Sequence, residues 1–358
     1  MNSIIGLTEI ITYILFAFLV GHVALQFVPT SKKPLIEIPK IALLMSILGT
    51  ILFSLGPVFQ VVFYFSESVG FAQTIVSVFT DFQVGKAWIF ISFMATFLWM
   101  TIHAGGTKYL QAALLLLMVL GVGYASHVTS LDFWPGFISH TIHFLIVTLW
   151  GGILLHVAWF SKGTKNMAPF LKWFSPFAIA CMVIIIVSGF VIMLYVVEVG
   201  EYVSAWGLSY GQLLLLKHIS IIPIVAFAWI NQRLSKRNNP IGYNAKLWLR
   251  AESFFIIIIF YFTSIMGTYS PPHDLDVTLL SEGAGPLIGL ISKQEITVPL
   301  VANISFSFEG MALLTMALFF LCMIFASLYR KISAWIAVLF GVSFIIALFA
   351  GLILSIDF

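Results

Sequence analysis

The chain alternates between long apolar stretches and short polar connections. Ten of these stretches carry few or no charges and are long enough to cross the hydrocarbon core of a bilayer, which takes about 20 helical residues. They are residues 4–28, 40–65, 85–104, 108–127, 136–160, 168–197, 210–233, 246–269, 305–329 and 332–356. The stretches are continuously apolar, which favours helices over the alternating strands of a membrane barrel. The pattern therefore predicts an all-α polytopic membrane bundle of about ten transmembrane helices.

Basic residues are concentrated on one side of this predicted bundle. Alternate loops and the adjoining helix ends contain 14 of the 17 Lys and Arg residues. These are Lys32, Lys33, Lys40, Lys108, Lys162, Lys165, Lys172, Arg233, Lys236, Arg237, Lys246, Arg250, Arg330 and Lys331. Because cytoplasmic loops are enriched in Lys and Arg, this side is predicted to face the cytoplasm. Both termini are then predicted to lie outside (N-out, C-out), as an even number of helices requires.

Short sequence similarities indicate a 4+4 parallel internal repeat. Residues 21–24, 84–86 and 124–127 resemble residues 155–158, 210–212 and 269–273, respectively. Four is an even number, so two four-helix halves would share one orientation in the membrane. We therefore expect an N-terminal four-helix half over 1–135, a second half over 136–272, and an extracytoplasmic loop with two C-terminal helices over 273–358.

Composition excludes several classes of protein. Hydrophobic residues make up 61% of the chain and charged residues only 9%, whereas a soluble domain carries about 25% charged residues. The two cysteines, Cys181 and Cys322, lie far apart in separate apolar stretches, which argues against a zinc knuckle or a redox dithiol. The sequence contains no G-x-x-x-x-G-K-[ST] loop for nucleotides and no basic run typical of nucleic-acid binding. Any transport would therefore be downhill, coupled to an ion gradient, or dependent on a partner.

The histidines fall at two depths of the predicted bundle, and the larger set lies towards the outer side. This outer set, with one methionine close to it, consists of His127, His140, His143, His218, His273 and Met266. His140 and His143 are three residues apart and share a helix face. Imidazole suits copper, zinc and iron, and a thioether favours Cu(I), so this set is a candidate metal site.

The inner set consists of His22, His103 and His156. His143 and His156 lie 13 residues apart on one predicted helix, which separates them by about 20 Å, so the two sets cannot form one site. The functional interpretation is that the outer set takes up the ion and the inner set releases it, on one path. Alternatively, the histidines of either set pack between helices or lie at the lipid headgroups. Paired membrane histidines can also bind haem iron.

Two further features lie within the predicted spans. Lys217 precedes His218 and lies too deep for a loop residue; it would snorkel outward, pair with Glu198 or Glu201, or act electrostatically on a path. The glycines of the sequence Trp150-Gly151-Gly152 are predicted to let two helices approach closely.

Residues 136–272 carry a series of short motifs in a defined order. They are His143 followed by Trp150-Gly151-Gly152, Phe174-Ser175, Ser188-Gly189, the run from Tyr210-Gly211-Gln212 to Lys217, Asn231 with Arg233, Arg250-Ala251-Glu252, and the segment from Ser264 to Pro272. With this order and spacing, the stretch resembles the membrane domain of the CopD family of bacterial copper-resistance and copper-uptake proteins.

The resemblance implies copper movement across the cytoplasmic membrane, usually inward, through His and Met ligands on helices. Some relatives carry a fused periplasmic copper-binding β-domain. No such domain is recognisable here, so we expect a separate extracytoplasmic copper-binding carrier protein as a partner, besides the copper ion and the lipid bilayer.

The sequence thus favours a multi-pass copper transporter of the inner (cytoplasmic) membrane over an enzyme. Two alternatives stay open. One is a membrane oxidoreductase or electron carrier that binds haem b, which a Soret band would reveal. The other is an assembly factor that delivers copper to a respiratory oxidase, which would move no copper into vesicles by itself.

Overall fold

The computed structural model describes residues 2–236, 245–292, 294–330 and 332–358. Within these residues, nine helical segments are long and apolar enough to cross a membrane. They are Ser3–Gln26, Lys40–Ser68, Gln83–His103, Phe133–Phe160, Met167–Leu194, Ser209–Arg233, Ala245–Met266, Phe308–Tyr329 and Ala334–Ile353. The predicted all-α polytopic bundle is confirmed. Arg237 and Lys331, which belong to the basic side predicted from the sequence, lie outside the described residues.

The described chain divides into two compact units, Met1–Tyr195 and Val196–Phe358. The first unit contains nine helices, a short 3-10 helix at Thr30–Lys32, and a two-stranded antiparallel ladder. The helices are α1 (Asn2–Gln26), α2 (Lys40–Phe53), α3 (Gly56–Val69), α4 (Phe71–Thr80), α5 (Gln83–His103), α6 (Lys108–Tyr124), α7 (His127–Leu131), α8 (Phe133–Phe160) and α9 (Met167–Leu194). The ladder joins β1 (Leu35–Ile36) to β2 (Ser161–Lys162).

Two of the predicted spans differ in detail from the helices observed. The span predicted over 40–65 consists of α2 and α3, which meet at Ser54 and Leu55 just before Gly56 and Pro57. Proline suits the first turn of a new helix because it has no N–H to donate. The span predicted over 108–127 is α6, which has 17 residues and a length of about 26 Å.

Helix α1 lies at the centre of the first unit and packs along α8. The contacts advance in the same direction on both helices, from Phe16 against Phe144 to Gly21 against Gly152, so the two helices run parallel. A Cβ atom on Gly152 would lie 2.0 Å from the carbonyl oxygen of Ala17. Small residues permit such close backbone approach in membranes, which confirms the prediction for Gly152 of the glycine pair on α8.

The described part of the second unit contains six helices, 3-10 helices at Val199–Glu201 and Ser204–Gly207, and a second antiparallel ladder. The helices are α10 (Ser209–Lys236), α11 (Ala245–Met266), α12 (Leu275–Glu282), α13 (Pro286–Ile291), α14 (Phe308–Tyr329) and α15 (Ala334–Ile353). The ladder joins β3 (Asn303–Ile304) to β4 (Ile356–Asp357). Phe227 of α10 stacks on Phe255 of α11 with ring centres 5.4 Å apart, and both side chains are fully buried.

Candidate metal sites

His143 of α8 is held by a serine on the neighbouring helix α9. Its Nδ1 lies 3.0 Å from the Ser188 hydroxyl oxygen, and that hydroxyl donates its proton to the carbonyl oxygen of Ile184 at 2.7 Å. Because the single hydroxyl proton is already used, His143 Nδ1 is the donor in the first bond. In the neutral form of the ring, the lone pair is then on Nε2.

Gly189 gives the His143 ring its space. A Cβ atom on Gly189 would lie 3.1 Å from His143 Cε1, which is closer than ordinary van der Waals contact. The Ser188-Gly189 motif thus has two local roles, since the serine orients the imidazole and the glycine leaves room for it.

His156 lies 13 residues further along α8 and repeats the same arrangement with a different acceptor. Its Nδ1 lies 2.8 Å from the carbonyl oxygen of Gly152. A carbonyl oxygen can only accept, so Nδ1 carries the proton and Nε2 carries the lone pair. The side chain is fully buried, and Nε2 has no hydrogen-bond partner within the described part of the chain.

Aromatic rings and a second histidine surround His156. Phe18 of α1 stacks on the imidazole with ring centres 4.9 Å apart, and Phe160 lies 5.9 Å away. His22, one turn after Phe18 on α1, places its ring centre 6.2 Å from that of His156. The parallel packing of α1 and α8 thus brings together two of the three predicted inner histidines.

The third predicted inner histidine, His103, has different surroundings. It ends α5, is exposed, and stacks on Trp99 of its own helix with ring centres 5.0 Å apart. Its backbone carbonyl accepts a hydrogen bond from Lys40. Among the residues that the structure describes, its ring makes no aromatic contact with the other two inner histidines.

The predicted outer histidines are distributed over both units. The first unit holds His127, the exposed first residue of α7, and the half-buried His140, one turn before His143 on α8. The second unit holds His218 on α10 and the exposed His273. A single outer site made of all five histidines stays a prediction.

His218 has a hydrogen-bond partner that sequence reasoning did not identify. The Tyr202 hydroxyl lies 2.7 Å from His218 Nδ1. Burial raises the pKa of Tyr202 to about 12, so the phenol is neutral near pH 7. Lys217, beside His218, forms no ion pair with Glu198 or Glu201 among the described residues.

The remaining features of the second unit concern the ends of its first two helices. Met266 is the last residue of α11 and is half-buried. Near the other end of α11, the Asn231 side chain donates to the Glu252 carboxylate at 2.7 Å, and both side chains are buried. The Asn-x-Arg and Arg-x-Glu motifs of the sequence therefore meet through this hydrogen bond.

The first unit also contains an acidic side chain that the sequence interpretation left out. Tyr13 donates to the Glu9 carboxylate at 3.3 Å, one turn apart on α1. The Tyr13 ring packs edge-on against the Phe144 ring, with ring centres 6.1 Å apart. Phe144 directly follows His143 in the chain. An ionisable residue inside an apolar run was the available signal, since such residues are rare in membrane helices.

Taken over the described ranges, no group of three or more His, Cys, Asp or Glu side chains is arranged to hold a metal ion. Within those ranges, the His22–His156 pair brings two imidazole side chains together. Any outer site would have to draw on residues from more than one helix.

Comparison with protein-family profiles gives a match over part of the chain. Residues 168–266 match the profile of a family described as "Copper resistance protein D". The match begins in α9 and ends with α11, and it includes Ser188, Lys217 and His218. No curated protein and no solved structure matches the chain.

Proposed function

We propose that this chain, which matches the CopD family over residues 168–266, moves copper across the bacterial cytoplasmic membrane in the inward direction. The observation that carries the proposal is the shared geometry of His143 and His156. Each holds its Nδ1 proton on an oxygen acceptor and so carries its lone pair on Nε2. Metal-binding histidines almost always use their second nitrogen in this way, because it fixes the tautomer and the ring orientation.

His143 and His156 lie at two depths of the membrane and serve two successive binding sites. They are 13 residues apart on α8, about 20 Å along the helix axis. His143 and His140, with His127, accept the ion on the outer side of the first unit. In the second unit, Met266, His218 and His273 are separate candidate ligands. His22 and His156 hold the ion before its release, with His103 nearer the surface.

Charges outside the histidine sites shape the path. Acidic residues in the outer loops raise the local concentration of cations, which favours delivery by an extracytoplasmic copper-binding carrier protein. Lys217 places a positive charge beside His218 within the membrane. That charge repels a bare cation and thereby tunes how long copper stays on His218.

Copper uptake into proteoliposomes tests this function. Vesicles containing the full chain and an internal copper-sensitive dye should fill faster than protein-free vesicles. His143→Ala and His156→Ala should each reduce the rate strongly. Ile142→Ala is the matched control, because Ile142 lies beside His143 on α8 and faces outward, 40% exposed. Equal rates in vesicles with and without the protein would overturn the proposal.

The packing of α1 against α8 disfavours haem as the ligand of the inner histidines. A macrocycle would have to enter between the His22 and His156 rings, next to the backbone contact of Gly21 with Gly152. Phe18 already covers one face of the His156 ring. Purified protein is therefore expected to show no Soret band. An assembly factor without transport would bind copper but leave the vesicle dye unchanged.

A further inference from the structure

The spacing of the inner pair suits one ion held between two nitrogen donors. A metal ion bound at about 2 Å to one nitrogen of each imidazole, roughly in line with both rings, would separate the ring centres by about 6 Å. The ring centres of His22 and His156 lie 6.2 Å apart. The observed separation therefore matches the spacing that one bridging ion requires.

The number of donors limits which ion can bind. His156 Nε2 is buried and has no hydrogen-bond partner within the described ranges, and no third His, Cys, Asp or Glu completes a cluster there. The neighbouring side chains Phe18 and Phe160 have no donor atoms, and the Gly152 carbonyl oxygen already accepts the Nδ1 proton. Zn²⁺ takes four ligands and Cu(II) prefers a tetragonal set, whereas Cu(I) and Ag(I) are satisfied by two nitrogens in line.

The charge of the ion favours the same ions, Cu(I) and Ag(I), as the number of donors does. The cost of transferring an ion into a medium of low dielectric constant rises with the square of its charge, so a divalent ion costs about four times as much as a monovalent one. The groups at the inner end of α1 are cations: Lys33 donates to the Leu25 carbonyl oxygen, and Lys108 donates to that of Gln26 at 3.3 Å. Burial, and then the charge of Lys108, lower the pKa of Lys33.

From these observations we infer that His22 and His156 form a two-coordinate site selective for monovalent soft ions, Cu(I) and Ag(I), over Cu(II) and Zn²⁺. The inference rests on the proposed function and specifies the oxidation state of the cargo at the inner site. Copper must then be in its reduced form when it reaches α1 and α8.

The test uses the full chain in detergent, without oxygen, in a His140→Ala/His143→Ala background that removes the outer pair. Cu(I) is supplied from a chromophoric Cu(I) chelator, and X-ray absorption reports the ligands of the bound ion. We expect one Cu(I) with two nitrogen neighbours, displaced by Ag(I) and retained in excess Zn²⁺. A four-donor shell, or displacement by Zn²⁺ as readily as by Ag(I), would overturn the inference.

Variants at the pair separate loss of the ligand from loss of the fold. In His156→Asn, the new amide N–H can still donate to the Gly152 carbonyl oxygen while Nε2 is removed, and affinity for Cu(I) should fall at least about tenfold. His22→Met supplies a thioether, which favours Cu(I), and should retain Cu(I) and Ag(I). Unchanged affinity in His156→Asn would contradict the site.

The two proposals fail in different ways. Two-coordinate Cu(I) in a protein that fills no vesicles would overturn transport and leave the Cu(I) site supported. Uptake that depends on His143, in a protein whose inner pair binds Cu(II) as tightly as Cu(I), would overturn the Cu(I) site and leave transport supported.

Discussion

Gly21 and Gly152 meet backbone to backbone: a Cβ atom on Gly21 would lie 2.3 Å from the carbonyl carbon of Gly152. This contact sets the register of α1 against α8. His22 follows the first glycine directly, and His156 lies one turn after the second. The approach of two small residues therefore determines the spacing of the candidate inner site, although neither residue carries a ligand.

Substituting Gly21 with alanine should disturb both stability and metal binding. The added methyl group must push α1 away from α8, and overpacking of this kind costs about 1–3 kcal/mol. Gly21→Ala should therefore lower the thermal midpoint in detergent and weaken Cu(I) binding at the inner pair. Gly289→Ala is the control, since a Cβ atom there meets nothing within 4 Å. A Gly21→Ala protein with wild-type midpoint and affinity would contradict the role given to this contact.

Ser188→Ala should weaken copper binding at the outer site by about 10–100-fold, as expected when the partner of a ligating histidine is lost. Without the Ser188 hydroxyl, the His143 ring can rotate and exchange its tautomers. The affinity is measured by competition with a chelator, and Ser188→Thr should recover part of it.

Ser220→Ala is the matched control for the serine. Its hydroxyl is buried and, among the described residues, donates only to the Leu216 carbonyl oxygen of its own helix, at 2.7 Å. Equal losses in Ser188→Ala and Ser220→Ala would indicate a general packing effect and contradict the orienting role.

The elements of the fold were largely predictable from the sequence, because a membrane span is a local property of about 20 apolar residues. The break between α2 and α3 also had a local signal, Gly56-Pro57. His140 and His143 were correctly placed on one helix, since their spacing alone decides that they share a face.

The contacts between helices were not predictable in the same way. Sequence position gives the depth of a histidine in the membrane but not its lateral position, so His103 was grouped with His22 and His156. The structure stacks it on Trp99 at the end of its own helix, and its place in the inner site stays a prediction. Tyr202, which lies in a connection 16 residues before His218, had no sequence signal as its partner.

Tyr202 should make stability fall at alkaline pH. Burial raises its folded pKa from 10.0 to about 12, so the folded state keeps this proton more tightly than the unfolded state. The resulting contribution to stability is complete below about pH 10 and is lost as pH rises towards 12. In Tyr202→Phe, the decline of the thermal midpoint over this pH range should be shallower than in the wild type. Parallel declines in the two proteins would show that the phenol does not titrate as expected.

His103→Ala should affect inner-site binding far less than His22→Ala. His22 lies 6.2 Å from His156 between ring centres, whereas His103 is exposed and stacked on Trp99. Cu(I) affinity in the background without His140 and His143 should therefore fall at least about tenfold in His22→Ala and by much less in His103→Ala. Trp99→Leu, which removes the stacking partner, serves as a control for the local role of that contact. If His103→Ala reduced affinity as strongly as His22→Ala while Trp99→Leu did not, the inner site would contain three histidines, and the two-coordinate arrangement would be wrong.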